Sequence, residues 1–255
     1  MTSDALLDAL QLPASARVDK RVAKSLLTEH GAPTAADKRL ILDGIDEVRW
    51  VATCRPNTVA VAEFHDGERD YIEIAVLAVT LRREARISRL VELVHRAVPH
   101  PVLLVCDGAG VRLSVAHKRK ALNELDKVVL DGDVVEVAWP DPAGGVRDSQ
   151  LELAFLGSLA LARQPAQSLL GVVQGWVAVL WAMQAARLTG ELRLPATQSA
   201  AAERVALLAE CRRLDAEVAR LRADGQRERQ LSRMVEINME IQRLQAATLA
   251  AVGRL

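Results

Sequence analysis

The stretch PVLLVCDGAGVRLSVAH, residues 101–117, decides the fold of this chain. Two apolar runs are joined there by an Asp-Gly turn at Asp107 and Gly108, which is the strongest short-range signal for a β-hairpin. A strand and not a helix follows the glycines, so they indicate a turn and not a phosphate-binding loop. The hairpin predicts an antiparallel sheet in the N-terminal part of the chain.

Further strand and helix patterns flank this hairpin. Runs rich in β-branched residues predict strands at EVRWVATC (47–54), TVAVAEF (58–64), YIEIAVLAVTL (71–81) and DVVEVAW (133–139). Helical patterns are found at SDALLDAL (3–10), RVDKRVAKSLLTEHG (17–31), TAADKRLILDGI (34–45) and EARISRLVELVHRAV (84–98). Their order predicts an α+β fold, in which a mainly antiparallel sheet with flanking helices occupies residues 1–141.

The segment PDPAGG, residues 140–145, is the clearest linker signal in the chain. Beyond it the apolar residues recur only with helical spacing. We therefore predict an all-α C-terminal region, with helices over residues 146–195. Residues 199–255 are predicted to form one long helix or a helical hairpin with coiled-coil-like seams.

Two apolar seams in this last segment have the spacing of a coiled coil. The first consists of Leu207, Cys211, Leu214, Val218 and Leu221, and the second consists of Met234, Ile237, Ile241 and Leu244. Gly225 lies between them, so the segment either continues as one helix through a stutter or folds back there. The seams are predicted to bind a partner. Helices of the same chain, a second copy and a different protein all remain open as that partner.

Composition and charge exclude several classes of protein. Lys and Arg together number 33, as do Asp and Glu, so the formal net charge of zero gives no overall attraction to nucleic acid or anionic membrane. The apolar segment 169–183 is shorter than the ~20 residues that span a bilayer, which predicts a buried helix and no membrane partner. The start of the chain lacks the basic region of a signal peptide, which predicts a cytoplasmic protein. Cys54, Cys106 and Cys211 are expected to be reduced core residues.

Motifs for a catalytic, cofactor or metal site are missing from the sequence. There is no Cys-x-x-Cys, no histidine pair at i, i+4 beside a glutamate, and no glycine-rich phosphate loop. We therefore expect no cofactor and no small-molecule substrate. The enzyme alternative is a metal-dependent nuclease or nucleic-acid-processing domain with Asp66, Asp70 and Glu73 as Mg²⁺ ligands. That chemistry needs an acid and a lysine two positions apart on one strand face, and Ala75 stands where the lysine would follow Glu73.

Two basic clusters offer a second alternative. They consist of Arg17, Lys20, Arg21 and Lys24, and of Lys118, Arg119 and Lys120 next to His117. A handful of cations suffices for weak, sequence-independent contact with a phosphate backbone. The clusters are consistent either with a solvated charged face or with a weak DNA-contacting module.

Several short segments, in order, resemble a known family. These are RVDKRVAK (17–24), LDGIDEVRW (42–50), YIEIAVLAVTL (71–81), AVPHPVLLV (97–105) and EINMEIQRL (236–244). They are similar to bacterial domain-of-unknown-function family 4391, over nearly the whole chain. Members tend to be encoded beside superfamily-two helicases and DNA methyltransferases in antiphage defence clusters, and the resemblance implies an accessory protein that works with a helicase. Members often have a lysine where this chain has Ala78 to Leu81, and this departure weakens the nuclease alternative.

Together these observations predict a non-enzymatic accessory subunit of a bacterial antiphage defence system. It is expected to bind a protein partner, the helicase or a second copy of itself, through its C-terminal helices.

Overall fold

The computed structural model describes residues 1–82, 86–122, 127–142, 144 and 149–255. The helices of this part of the chain are α1 (Ser3–Ala9), α2 (Lys24–His30), α3 (Ala35–Gly44), α4 (Pro56–Val59), α5 (Ile87–Ala97), α6 (Ser149–Ser158), α7 (Leu169–Thr189), α8 (Gln198–Arg227) and α9 (Leu231–Val252). The strands are β1 (Arg17–Arg21), β2 (Ile45–Cys54), β3 (Phe64–His65), β4 (Asp70–Tyr71), β5 (Ile74–Leu81), β6 (Val102–Asp107), β7 (Val111–Lys120) and β8 (Val128–Trp139). Residues 143 and 145 of the predicted linker, residues 146–148, and residues 84 and 85 of a predicted helix lie outside the described residues.

The large sheet has six strands in the order β1-β2-β5-β6-β7-β8, while β3 and β4 pair separately. Its neighbouring strands are antiparallel except β5 and β6, which are parallel and are connected by α5. A parallel pair requires such a crossover because its two strands start at the same edge of the sheet. β5 and β6 are apolar and mostly buried, as central strands are. The predicted α+β fold with a mainly antiparallel sheet, followed by C-terminal helices, is confirmed.

Three helices, α2, α3 and α5, cover one face of this sheet. Their apolar residues, including Leu27, Ile41 and Leu90, form one core with Leu77 of β5 and Leu104 of β6. Only alternate residues of β5 and β6 belong to this core, because successive side chains of a strand point to opposite faces.

Two contacts fix the packing of these helices, a close approach of the end of α2 to α5 and an ion pair between α5 and α3. At Gly31, which follows α2, an added Cβ would lie 2.6 Å from the Cβ of Ala97 and 2.6 Å from the carbonyl oxygen of Leu93. Arg89 of α5 donates to both carboxylate oxygens of the buried Asp37 in α3, at 2.9 Å each. Such a bidentate pair fixes orientation as well as distance.

The helix predicted over residues 17–31 is wrong in its first part. Residues 17–21 form the edge strand β1, in which Arg17 pairs with Ala52 and Lys20 with Trp50 of β2. The register shifts between Arg17 and Lys20, and Asp19 has a φ of 46°. The exposed side chains of this bulged edge strand are mostly charged. Only α2, from Lys24, is helical.

The strand predicted over residues 58–64 is also largely wrong. Pro56 begins the short helix α4, and the Thr58 hydroxyl accepts a hydrogen bond from the backbone N–H of Arg55. Proline suits the first helical position because its missing N–H would have no partner there. Only Phe64 and His65 are in strand conformation.

The helix α7 contains 21 residues and is long and apolar enough to cross a membrane by length and composition, so it is longer than the apolar segment 169–183 suggests. Its most apolar window is nonetheless 67% buried inside the protein. Trp176 is fully buried, and its indole N–H donates to the carbonyl of Leu159 at 2.9 Å. This burial is typical of a core helix, as the sequence predicted.

The chain divides into two compact units, Met1–Leu180 and Trp181–Leu255. The division between these units lies within α7. In the second unit, α8 and α9 pack against each other as a helical hairpin. Gly225 lies inside α8, and the chain turns at residues 228–230, where a carboxylate oxygen of Glu228 accepts from the backbone N–H of Arg229 and of Gln230. Of the two predicted possibilities the structure shows the hairpin, with its turn three residues beyond Gly225.

Candidate functional site

The three carboxylates of the nuclease alternative each have a local partner. Asp66 accepts hydrogen bonds from the backbone N–H groups of Glu68 and Arg69, so it stabilises a turn. Glu73 is buried, and its carboxylate accepts from Arg55 Nε at 2.6 Å. Arg55 therefore neutralises this buried carboxylate in a structural ion pair, in which the Oε2 oxygen of Glu73 is engaged by the arginine.

Asp70 lies between a histidine and a lysine. His65 Nδ1 is 3.0 Å and Lys120 Nζ is 2.9 Å from its carboxylate oxygens. These hydrogen bonds, that of His65 first, lower the pKa of Asp70 below its usual value. Among the described residues there is no group of three or more His, Cys, Asp or Glu side chains that could hold a metal ion.

A cavity of about 240 Å³ lies on the first unit, beside β2 and β5. Glu47 and Asp107 are its two carboxylates, and the Ser3 hydroxyl donates to Asp107 at 2.9 Å. The strand positions that face it on β5 carry Ala78 and Thr80. It therefore has carboxylates from two different strands but no lysine on β5 to polarise a water molecule.

The predicted basic clusters are not continuous surfaces. Lys24 Nζ donates to the carbonyl oxygens of Leu42 and Ile45 at 3.2 and 2.8 Å, so it caps the C-terminal end of α3. In the second cluster Lys120 pairs with Asp70, and Arg119 Nε lies 3.8 Å from an oxygen of Asp131. These three cations, and Lys118, which is described below, serve contacts within the protein.

The remaining cations of the first cluster, Arg17, Lys20 and Arg21, lie on the exposed edge strand β1. Arg21 Nε is 4.0 Å from Glu47. No aromatic side chain on β1 accompanies them to stack on a base. They are a solvated row of charges along one strand.

Lys118 is a buried cation with a structural partner. Its side chain is 2% exposed, and Nζ donates to the carbonyl oxygens of His95 and, at 2.8 Å, Val98 at the end of α5. Burial lowers the pKa of Lys118 to about 8. Burial also lowers the pKa of His95 to about 3, and Nε2 of this neutral ring lies 3.0 Å from the Ser114 hydroxyl. The burial of Lys118 could have been predicted from strand alternation. Every second residue of a strand lies on the same face, so Lys118 shares a face of β7 with the buried residues Ser114 and Ala116.

The three cysteines are free and buried. Burial raises the pKa of Cys54 and of Cys106 to about 12, and it also raises the pKa of Cys211. Thiols are the unreactive form of cysteine, so these residues pack as small apolar side chains. The sequence interpretation of the cysteines agrees with this position in the fold.

The predicted partner-binding seams face each other inside the helical hairpin. Leu214 and Val218 of α8 and Leu244 of α9 are buried in one cluster, with Leu221 and Ile241 half-buried against it. Leu207 and Cys211 are also buried, Ile237 is half-buried, and Met234 is 37% exposed near the turn. The seams therefore bind mainly one another, and little of their surface is left for another protein.

The opposite side of α9 carries a second row of apolar side chains, which the sequence interpretation missed. Leu231, Val235, Met239 and Leu249 are 76%, 50%, 65% and 74% exposed. At 100° per residue these side chains lie roughly opposite the seam residue Leu244. We call these four residues the outer face of α9. The signal was present in the sequence, as apolar residues that the seam spacing leaves unassigned.

A family whose description is a domain of unknown function, DUF4391, has a sequence model that matches residues 10–247. No curated protein and no solved structure matches the chain.

Proposed function

Because the chain belongs to the DUF4391 family of domains of unknown function, we propose that it is a non-enzymatic interaction subunit of a bacterial antiphage defence system of the helicase–methyltransferase type. It binds a protein partner through its C-terminal helices. The defence context is an inference from family membership. The binding role is carried by one observation, the exposed outer face of α9.

The outer face is apolar in a position where a surface helix is usually polar. Soluble proteins expose single apolar side chains at random, but four large apolar side chains on one side of a single helix are typical of an interaction site. Covering a large aliphatic side chain contributes about 1.5–3 kcal/mol if its burial is complete. Leu231, Val235, Met239 and Leu249 are half to three-quarters exposed, so a partner helix can gain several such contributions.

Other parts of the chain support a binding role more than a catalytic one. The carboxylates Asp66, Asp70 and Glu73 are engaged in a turn and two ion pairs, and the cavity beside β5 offers alanine and threonine where a lysine would be needed. Most cations of the two basic clusters serve internal contacts. These assignments favour neither the nuclease nor the DNA-contacting alternative.

The proposal is tested by co-purification from cells that express the tagged full chain, an untagged second copy, and a helicase and a methyltransferase of a defence system as candidate partners. We expect recovery of a defined partner from this set, and we expect Met239→Glu to abolish the recovery, because it places a charge in the apolar contact. Ala216→Glu is the matched control, since Ala216 is an exposed position on α8 away from the seam.

Equal recovery with wild type and Met239→Glu would refute the role of the outer face. The non-enzymatic part is tested separately with purified protein, plasmid DNA and Mg²⁺ or Mn²⁺. Cleavage that Glu47→Gln or Glu73→Gln removes would refute it.

A further inference from the structure

Resting on the proposed function, we infer that the partner of the outer face is the same helix of a second copy of this chain. The two α9 helices pair antiparallel about a twofold axis that passes close to Glu240 and Ile241. Such an interface is isologous, so the surface must be complementary to itself when turned around. The order of residues along α9 meets this requirement.

Three of the four outer-face residues, Val235, Met239 and Leu249, belong to a regular stripe with coiled-coil spacing. Exposed residues with alternating spacings of three and four run along this side of α9: Ser232, Val235, Met239, Gln242, Ala246 and Leu249. This spacing is that of the a and d positions of a heptad. The seam toward α8 follows the same spacing on the opposite side, so α9 can contact α8 and a second copy at once.

Antiparallel pairing about this axis matches large side chains with smaller ones. Met239 lies opposite Gln242 of the second copy, and Val235 lies opposite Ala246 of the second copy. Leu249 then meets Ser232 at each end. A parallel, in-register pairing would instead place Met239 on Met239 and Ala246 on Ala246, which crowds one layer and leaves the other underfilled.

The charges beside the stripe have the same symmetry. Glu236 and Arg243 lie on one flank of the outer face, and antiparallel pairing places Glu236 of each copy opposite Arg243 of the other. Asn238 faces Gln245 on the other flank in the same way. Arg243 already pairs with Glu240 of its own helix at 2.5 Å, so its guanidinium is held beside the stripe. Charges at such flanking positions set the orientation of coiled-coil partners.

The length of the helix suits a specific contact. With 22 residues and about 1.5 Å of rise per residue, α9 is about 33 Å long, which spans the whole stripe. The contact leaves the α8–α9 seam closed, because the stripe lies on the other side of α9. No part of the hairpin must open for two copies to associate.

The test is the mass of the purified full chain in solution, measured by sedimentation and by light scattering over a range of concentrations. We expect twice the chain mass of 27.7 kDa, and the single chain mass for Met239→Glu with unchanged helical circular dichroism. Ala216→Glu should remain dimeric. A single chain mass for wild type up to about 100 µM, well above the micromolar range of weak specific complexes, overturns the inference.

The antiparallel orientation is tested by charge reversal. Glu236→Arg or Arg243→Glu alone places like charges opposite each other twice, and each should weaken the dimer by about tenfold. The double variant restores both pairs and should return the dissociation constant to near the wild-type value. Absence of rescue with preserved helicity overturns the antiparallel pairing.

A monomer whose outer face still captures the helicase overturns this inference alone and leaves the proposed function intact. Loss of every partner in the co-purification, together with a monomeric wild type, overturns both.

Discussion

Replacing Lys118 with methionine should change how the stability of the protein depends on pH. The ammonium group of Lys118 is buried, and its pKa is lowered from 10.5 to about 8 because burial disfavours the charged form. In the unfolded chain the lysine regains its ordinary pKa. Between these two values the unfolded state binds a proton that the folded state does not bind, so the free energy of unfolding rises with pH.

The size of this effect follows from the two pKa values. One pKa unit corresponds to about 1.4 kcal/mol, so the full rise between about pH 8 and 10.5 is on the order of 3 kcal/mol. Below pH 8 Lys118 is protonated in both the folded and the unfolded state, so its contribution to the free energy of unfolding no longer changes with pH. Deprotonation of cysteine thiols in the unfolded chain, with an ordinary pKa of 9.0, opposes the rise at higher pH. The effect of Lys118 is therefore best measured between pH 8 and 9. Over this range the free energy of unfolding of the wild type should rise by about 1 kcal/mol relative to that of Lys118→Met.

The assay is urea denaturation followed by tryptophan fluorescence at pH 7, 8 and 9, with the wild type and the variant side by side. Comparison at each pH cancels the contributions of all other groups. Lys120→Met is the matched control, because the side chain of Lys120 is 45% exposed on the same strand, and this variant should keep the wild-type pH dependence of stability. If the free energies of unfolding of wild type and Lys118→Met change with pH in the same way, the assignment of a buried lysine with a lowered pKa at this position is refuted.

Two further substitution pairs test the packing of each compact unit. Gly31→Ala should destabilise the first unit by about 1–3 kcal/mol, because the new methyl would lie 2.6 Å from the carbonyl oxygen of Leu93. Gly67→Ala, whose new methyl meets nothing within 4 Å, should be neutral or stabilise by up to about 1 kcal/mol. An equal loss of stability in both variants would contradict the close contact between Gly31 and α5. In the second unit, Leu214→Ala should cost about 2–4 kcal/mol in thermal denaturation followed by circular dichroism, because Leu214 is 3% exposed in the hairpin core. The exposed neighbour change Arg213→Ala should stay within about 0.5 kcal/mol, and a similar loss for both would mean that the seam does not close as described.

The central sheet could be predicted from the sequence because its signals are local. The Asp-Gly turn fixes the β6–β7 hairpin, and the continuous apolar runs of β5 and β6 indicate buried central strands, although their parallel pairing was not predicted. The amphipathic pattern of α5 lies between them and supplies the crossover. Each of these elements is defined by residues close in sequence, so no distant partner was needed to identify it.

One of the two wrongly predicted elements lies where a distant partner decides the structure. Val18, Val22 and Leu26 have helical spacing, yet residues 17–21 are extended because they pair with β2, about 30 residues further along the chain. The strand predicted at residues 58–64 fails for a local reason. Pro56 and the Thr58 hydroxyl favour a helix start that outweighs the β-branched residues after it.

Heptad spacing marks the apolar seams in the sequence and leaves both one long helix and a hairpin open. Spacing alone does not show that the two seams bury each other. The outer face was missed because only one apolar row was assigned to the segment that became α9. The basic run at residues 117–120 looked like a surface patch because strand alternation, which turns Lys118 inward, was not applied to it.

The charged edge strand β1 also affects how the protein behaves at high concentration. A chain with equal numbers of acidic and basic groups has little long-range repulsion to keep its molecules apart. Exposed hydrogen-bonding groups on a flat sheet border would then invite stacking of one sheet onto the next. The bulge and the cations Arg17, Lys20 and Arg21 oppose such stacking, since two copies of β1 brought together would meet with kinked backbones and like charges. The bulge and the charges of β1 thus oppose association at the exposed edge of the sheet itself, and the rest of the molecule needs no excess charge for this.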